Sequence, residues 1–466
     1  MSDYIRLKKG LDLPISGRAL YRVTKVVKPD VVALQPSDFR GLVPRLLVKE
    51  GDAVKAGTPL FADKANSAIV FSSPVSGTVE SVVRGEKRKL LAVRVKADGK
   101  DESVRFDVPK EASFTKENVT KALLESGLWP CIKQRPYNVI ADPGISPKSI
   151  FISAMPTAPL SADLDYTLAK DLSAVQLGFA ALAKLTTGGV HVSLAADNYA
   201  GSEFHKMKGV IFHKFDGPHP AGNVGVQINR ISPINKGEVV WTVDMTSVAA
   251  IGRLFKNGVY DTHRLVAVAG PAVKNPSYVE VPQGVAISEL TDMFEEGDVR
   301  IISGDVLSGK RVAADGFLGF FDNFVTVLEE GNYSEMFGWC KPFRFQKFSA
   351  SRSYWSWFAG LSKYEWSQFL PSFITRHKDY DMDTNLNGGV RAFVFSDVYG
   401  KVLPMDILPV YLFKAILAGD IEKMEELGIY EIVEEDVALC EFVDPSKIDI
   451  QQIVSDGIDL MLKEMA

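Results

Sequence analysis

Through residues 41–95, apolar and polar positions alternate in short runs, Val43 to Val48 and Thr78 to Val83 among them, and Gly or Pro bounds each run. A period of two with such punctuation predicts the strands of a small flattened barrel. Gly51-Asp52 and Gly57 supply the turns of its first half, and Pro74 with Gly77 opens the second. The charged residues 96–112 read as a solvated linker. Thr115 is then placed to cap a short helix that carries Val119, Ala122 and Leu123 on one face and stops at Gly127.

From Tyr137 to about Val268 the pattern changes. Strand-like runs (Ser149 to Ala154, Val190 to Leu194, Val210 to Phe212, Glu238 to Val243 and Arg264 to Ala269) are separated by helix-like stretches. The clearest helix spans Leu168 to Leu185, where Leu172, Val175, Phe179, Leu182 and Leu185 recur at helical spacing. This alternation predicts a largely parallel α/β sheet, ended by a Pro/Asn/Ser turn at 271–277. In residues 278–328, strands at Tyr278 to Val281 and Val299 to Ile302 flank an expected helix at Ser288 to Glu295, with glycines at the turns. That order predicts a small β-grasp module. The remainder opens on an aromatic patch and becomes helical and acidic from Pro409 onward.

A chain of 466 residues exceeds one ordinary core. The expected divisions are a barrel over 1–112, an α/β domain over 113–269, a β-grasp domain over 270–330, and an interface segment with a helical C-terminal region over 331–466. A net charge of −5 argues against a nucleic-acid partner. No run of eighteen apolar residues occurs and the first fifteen lack a signal-peptide core, so no membrane span or secretory route is expected. Cys131, Cys340 and Cys440 stand singly, which fits a reducing, cytoplasmic compartment and leaves no ligand quartet for zinc or an iron–sulfur cluster.

The strings VKEGDAVKAGTPLFADK (Val48 to Lys64) and FSSPVSGTVESVVRGE (Phe71 to Glu86) make the first domain resemble the barrel-sandwich domain of biotinyl/lipoyl carriers, with Asp63-Lys64-Ala65 where a modified lysine would sit. Lys64 stands ten residues before Pro74, a longer hairpin than carriers use. An exposed lysine on a turn explains it as well. Six landmarks occur in one order: KKGLDLPISG (Lys8 to Gly17), the barrel, GPHPAGNVG (Gly217 to Gly225), GPAVKNPSYVEVPQG (Gly270 to Gly284), LPMDILP (Leu403 to Pro409) and EEDVALCEFVDPSK (Glu434 to Lys447). Together they resemble the A-subunit family of the sodium-translocating NADH:quinone reductase.

The domain order is also similar to that of the flavin subunit of respiratory complex I and of the C subunit of the Rnf complex. This resemblance implies a Rossmann-like second domain and an SLBB-type β-grasp domain. In those relatives a glycine-rich loop admits flavin and nicotinamide, and clustered cysteines hold iron–sulfur centres. Here Trp129-Pro130-Cys131-Ile132-Lys133-Gln134-Arg135-Pro136 replaces the glycines, so no cofactor is expected on this chain. The resemblance implies FMN, FAD and Fe-S centres in partner subunits, ubiquinone or menaquinone as the substrate of the complex, integral membrane subunits as partners, and a peripheral place on the cytoplasmic face of the bacterial inner membrane. Alternatives are a purely structural assembly component, a lipoyl or biotinyl carrier, and a free-standing flavin dehydrogenase.

No catalytic residue and no metal site is expected. A quinone head group needs donors beside an apolar slot, for which Trp129, Lys133, Arg135, Tyr137 and His219 are the candidates. His205, His213 and His219, with Glu203 and Asp216, match no standard metal-ligand spacing and read as surface and loop histidines. GDVLSGKR (Gly304 to Arg311) has a GxxxxGK pattern but lacks the following Ser/Thr. DYDMDTN (Asp379 to Asn385) lacks the glycine and the final glutamate of a calcium loop. The strongest surface signal is the stretch from Trp339 to Phe373, which holds four of the six tryptophans among many cations. Trp339, Phe343, Arg344, Trp355, Trp357 and Trp366 are its interface candidates, toward partner subunits or the bilayer.

Overall fold

The computed structural model describes residues 4–335, 347–350, 379–394 and 396–465. The interface candidates Trp339, Phe343, Arg344, Trp355, Trp357 and Trp366 lie outside the described residues. Two N-terminal strands, β1 (Tyr4–Arg6) and β2 (Leu20–Val26), precede the barrel but do not join it. Pairing with distant strands holds each of them in another sheet.

The barrel comprises β3 (Val31–Leu34), β4 (Pro44–Leu46), β5 (Ala53–Val54), β6 (Pro59–Asp63), β7 (Val70–Ser72), β8 (Gly77–Arg84) and β9 (Leu90–Ala97). They form a four-stranded sheet, β3-β9-β8-β5, over a three-stranded one, β4-β6-β7. The start of β8 alternates as its sequence predicts, with Val79 buried between exposed Thr78 and Glu80. Leu60, Phe61 and Phe71 are sealed inside, the two rings stacked 4.6 Å apart. Each such side chain contributes roughly 1.5–3 kcal/mol by leaving water.

Helix α1 (Lys116–Ser126) starts at Thr115, whose side chain and that of Asn118 form a reciprocal capping box. It ends at Gly127, whose φ of +83° suits a residue without Cβ. There follow β10 (Lys133–Arg135), β11 (Val139–Ile140), β12 (Ile150–Ser153), α2 (Leu164–Thr167), α3 (Leu172–Leu182), β13 (Val190–Ala195), β14 (Ile211–Asp216), α4 (Val224–Ile231), β15 (Val240–Thr242) and α5 (Met245–Asn257). The sheet runs β1-β14-β13-β12-β15-β10-β11, parallel through β15 and antiparallel at β10 and β11. The helix expected from Leu168 begins only after Asp171. That carboxylate accepts from Arg253 at 2.8 Å, and the Asp171 carbonyl receives the Val175 amide, as at a helix start.

The third sheet is built from β16 (Arg264–Ala269), β17 (Ser277–Val281), β18 (Val299–Ser303), β19 (Lys310–Val312) and β20 (Phe324–Glu329), in the order β19-β18-β20-β16-β17-β2. Arg264 to Ala269 is the strand expected, but it pairs with β17 and β20 rather than in the preceding α/β sheet. Its apolar, buried end (Val266 to Ala269) needs neighbours on both sides, and a central place here provides them. The helix expected at Ser288 to Glu295 is a 3-10 segment, Ile287–Met293. The Thr291 hydroxyl donates to the Ser288 carbonyl there, a local bond that competes with an α-turn.

The C-terminal region is helical: α6 (Tyr399–Val402), α7 (Pro409–Ala418), α8 (Ile421–Glu426), α9 (Glu434–Val443) and α10 (Ile450–Met465). Its core of Leu412, Phe413, Val437, Ile450, Val454 and Ile458 also takes in Phe215 and Val226, which fastens it to the α/β domain. Among the described residues no helix is long and apolar enough to cross a membrane.

Candidate functional site

Strand order in the α/β sheet reverses at β12, with β13 on one side and β15 on the other. In open α/β sheets the crevice beyond the carboxyl ends of the strands at such a reversal is where ligands lie. Here the loop after β14, Gly217 to Asn223, occupies it. The Ser153 hydroxyl at the end of β12 donates to the Gly222 carbonyl at 2.7 Å, and Gln227 Nε2 donates to Ser153 Oγ at 3.0 Å. A Cβ at Gly222 would stand 2.1 Å from the Met155 carbonyl oxygen, so only glycine lets the two backbones meet.

The same loop leads into α4, whose first turn abuts the first turn of α9. A Cβ at Gly225 would meet the Asp436 carboxylate at 2.3 Å and Arg135 Nη1 at 2.7 Å. Arg135, on β10, donates to Asp436 Oδ2 at 2.8 Å and to Glu435 Oε1 at 2.7 Å. Asn223 Nδ2 donates to the Glu435 carbonyl at 2.9 Å. Glu434, Glu435 and Asp436 open α9, where carboxylates favour the positive end of a helix. Burial opposes the charge of Arg135, but Asp436 and Glu435 hold its pKa above the usual value. Burial pushes Asp436 up to about 6, against the pull of Arg135. The direct 2.8 Å contact between Arg135 and Asp436 favours the charged pair.

His219 projects from the loop in the same place. Its backbone N–H donates to Asp12 Oδ1 at 2.8 Å, its Nδ1 lies 3.2 Å from Thr157 Oγ1, and its buried Nε2 has no hydrogen-bond partner. Burial lowers its pKa, while Asp305, Asp12 and Glu435 act in the opposite direction. Lys133 Nζ sits 3.6 Å from the centroid of the Phe321 ring. Burial lowers its pKa too, opposed first by Glu435. Glu435 therefore acts on three of the five sequence candidates, Lys133, Arg135 and His219.

Trp129 and Tyr137 stand apart. Trp129 lies fully inside the core shared by the barrel and the α/β domain, edge-on to Trp241 at 5.5 Å, with Nε1 donating to the Ala141 carbonyl at 2.7 Å. Tyr137 forms the β10–β11 turn with φ of +81°, its ring 6.0 Å from that of Tyr430. Glu435, Asp436, Asp12, Asp305 and Thr157 were not singled out in the sequence. The acidic triplet opening EEDVALCEFV was the available signal, because three carboxylates at one helix start invite a cation.

The remaining patterns are accounted for locally. In GDVLSGKR the Asp305 carboxylate accepts the amides of Leu307 and Ser308 at 2.7 and 2.8 Å, where a phosphate would otherwise bind. His213 and His219 are buried rather than at the surface, His213 on β14 in contact with His191 at 2.9 Å, and no group of three or more His, Cys, Asp or Glu able to hold a metal occurs among the described residues. In DYDMDTN, Asp383 accepts from Tyr333 and Lys347, both at 2.6 Å. Cys131 and Cys440 are buried, and burial raises both thiols, Cys131 to about 12. Lys64 is exposed at the β6–β7 tip.

Three family models match the chain: the NqrA N-terminal barrel-sandwich hybrid domain over residues 5–98, the NqrA second alpha/beta domain over 114–260 and the NQRA C-terminal domain over 265–314. Similar curated proteins are named as the A subunit of the Na(+)-translocating NADH-quinone reductase. One from Yersinia pestis bv. Antiqua (strain Angola) is 39% identical over 97% of this chain and 98% of its own length. One from Serratia proteamaculans is 39% identical over 99% and 100%, and one from Neisseria meningitidis is 36% identical over 99% and 100%. A chain in the crystal structure of an NAD+-reducing [NiFe]-hydrogenase overlays with a TM-score of 0.35 and 12% identity, over 76% of this chain and 64% of that one.

Proposed function

The chain belongs to the NqrA family, the A subunits of the Na(+)-translocating NADH-quinone reductase, and from that premise we propose that it is a peripheral subunit that helps the complex handle quinone where the loop 217–223 meets α9. The observation that carries this reading is the Glu435-centred junction. Arg135 bonds Glu435 directly, the field of that carboxylate reaches Lys133 and His219, and Arg135 Nε and His219 Nε2 are buried without hydrogen-bond partners. Buried donors are normally paired, so such atoms mark a place where an acceptor arrives. The head group of a quinone offers two carbonyl acceptors on a flat apolar ring. Flavins and the iron–sulfur centre belong, on this reading, to companion subunits, which also hold the chain at the cytoplasmic face of the membrane through the stretch 339–373.

The test is quinone kinetics in the reassembled complex. Replacing His219 by Phe should raise KM for quinone with NADH oxidation intact; unchanged kinetics would remove the junction from quinone handling. A second reading, a subunit that only organises the assembly, is favoured by one observation: both Arg135 Nη atoms are consumed by Asp436 and Glu435, and Trp129 Nε1 by Ala141. Under that reading the same variant alters complex yield and leaves KM unmoved. Charge substitutions at Trp355 and Trp357 test attachment separately, with release of the folded chain from membranes as the expected result.

A further inference from the structure

Thr157 Oγ1 accepts the Gly222 amide at 2.9 Å and lies 3.2 Å from His219 Nδ1. The hydroxyl hydrogen needs an acceptor, and Nδ1 is the one in reach. With Nδ1 accepting, a single group is left over, the Nε2–H. With Nδ1 donating, two are left over: the Thr157 hydroxyl hydrogen and the Nε2 lone pair. Burial lowers the pKa of this ring more than the carboxylates of Asp12, Asp305 and Glu435 raise it, so the ring is neutral and carries a single N–H.

None of those carboxylates takes the proton as a hydrogen bond, and each has other partners. Asp305 accepts from the Leu307 and Ser308 amides and the Ser308 hydroxyl. Asp12 accepts the backbone amide of His219 itself, and Glu435 accepts from Arg135. Three carboxylates around one donor repel an anion, so the acceptor that suits it is neutral. Leu7, Leu11, Met155 and Leu307 supply apolar surface in the same cluster.

We propose that Thr157 locks His219 as its Nε2–H tautomer, and that this buried N–H is reserved as a hydrogen-bond donor to a carbonyl oxygen of the quinone head group, a role that rests on the quinone reading above. Thr157 is a positioning residue, acting through the imidazole. No proton is transferred by His219 in this role.

The experiment is a histidine-selective 15N spectrum of the full chain, alone and with a short-chain ubiquinone. The wild type should show the Nε2–H pattern for His219. Thr157→Val should lose the tautomer preference, and Thr157→Ser should restore it. Ubiquinone should shift the Nε2 signal. In the complex, His219→Phe should raise KM for quinone roughly tenfold, the effect of one lost neutral hydrogen bond, with kcat nearly unchanged. His219→Gln, which keeps an N–H near the same position, should retain most of the affinity. An Nδ1–H pattern in the wild type overturns the proposal. So does a photoactivatable quinone that labels loop 217–223 or the first turn of α9 while the His219 signal stays still, which would leave the quinone reading standing and assign the donor to a buried water. No quinone label anywhere on the chain would overturn both together.

Discussion

The Trp129 turn and the loop carrying His219 were both candidates for ligand contact, and the fold treats them oppositely. At the first, the indole N–H of Trp129 is used and its ring packs edge-on against Trp241, whose Nε1 is the one unpartnered atom of the pair. At the second, Arg135 Nε, His219 Nε2 and Asp436 Oδ1 are buried and unpartnered. One place has been closed by bulk; the other keeps polar atoms under tension. Trp129 is spent on packing and one backbone bond, whereas unspent donors are what a ligand can use.

The largest effects should come from the charged pair behind the second loop. Arg135→Leu leaves Asp436 buried without its partner and should cost about 3–5 kcal/mol in urea unfolding. Adding Asp436→Leu should recover much of the loss. If the double variant is no better than the single, the penalty is not an unpaired charge. Trp129→Ala should cost a similar amount, about 3–5 kcal/mol, from the cavity it leaves. It should do so without changing KM for quinone in whatever complex assembles; a specific KM effect would erase the contrast between the two loops.

A smaller effect concerns acid. Burial holds folded His219 below its ordinary value of 6.5 despite the surrounding carboxylates. The unfolded chain therefore takes the proton first, and the contribution of this residue is present above that value and lost as pH falls through it toward the folded pKa. Unfolding followed between pH 7.5 and 5 should show that slope, flattened in His219→Phe. Smallest of all, Lys64→Gln should leave complex activity unchanged, and the natively expressed chain should have its unmodified mass. An added lipoyl or biotinyl mass would restore the carrier reading.

Much of the architecture could be read from local pattern. Thr115 and Gly127 delimit α1 by capping chemistry alone, and the alternation around Val79 specifies its strand. Pairings made over long range were not legible. Tyr4–Arg6 joins β14, and Leu20–Val26 joins β17, across more than two hundred residues. Arg264 to Ala269 was legible as a strand, but its sheet was not, because an apolar run carries no record of its neighbours. The site divides the same way. His219 and Arg135 stood out by type and position, while Glu435 and Thr157 matter only because the fold sets α9 and the strand β12 loop beside them.

We propose that the His219–Glu435 junction, and not the Trp129 turn, is where this subunit meets quinone. The most direct measurement is to irradiate the intact complex with a photoactivatable ubiquinone and map the adduct by peptide mass spectrometry. Labelling is expected within residues 217–223 or the first turn of α9, suppressed by excess ubiquinone. Competable labelling confined to residues 129–132, or absent from this chain, would contradict it.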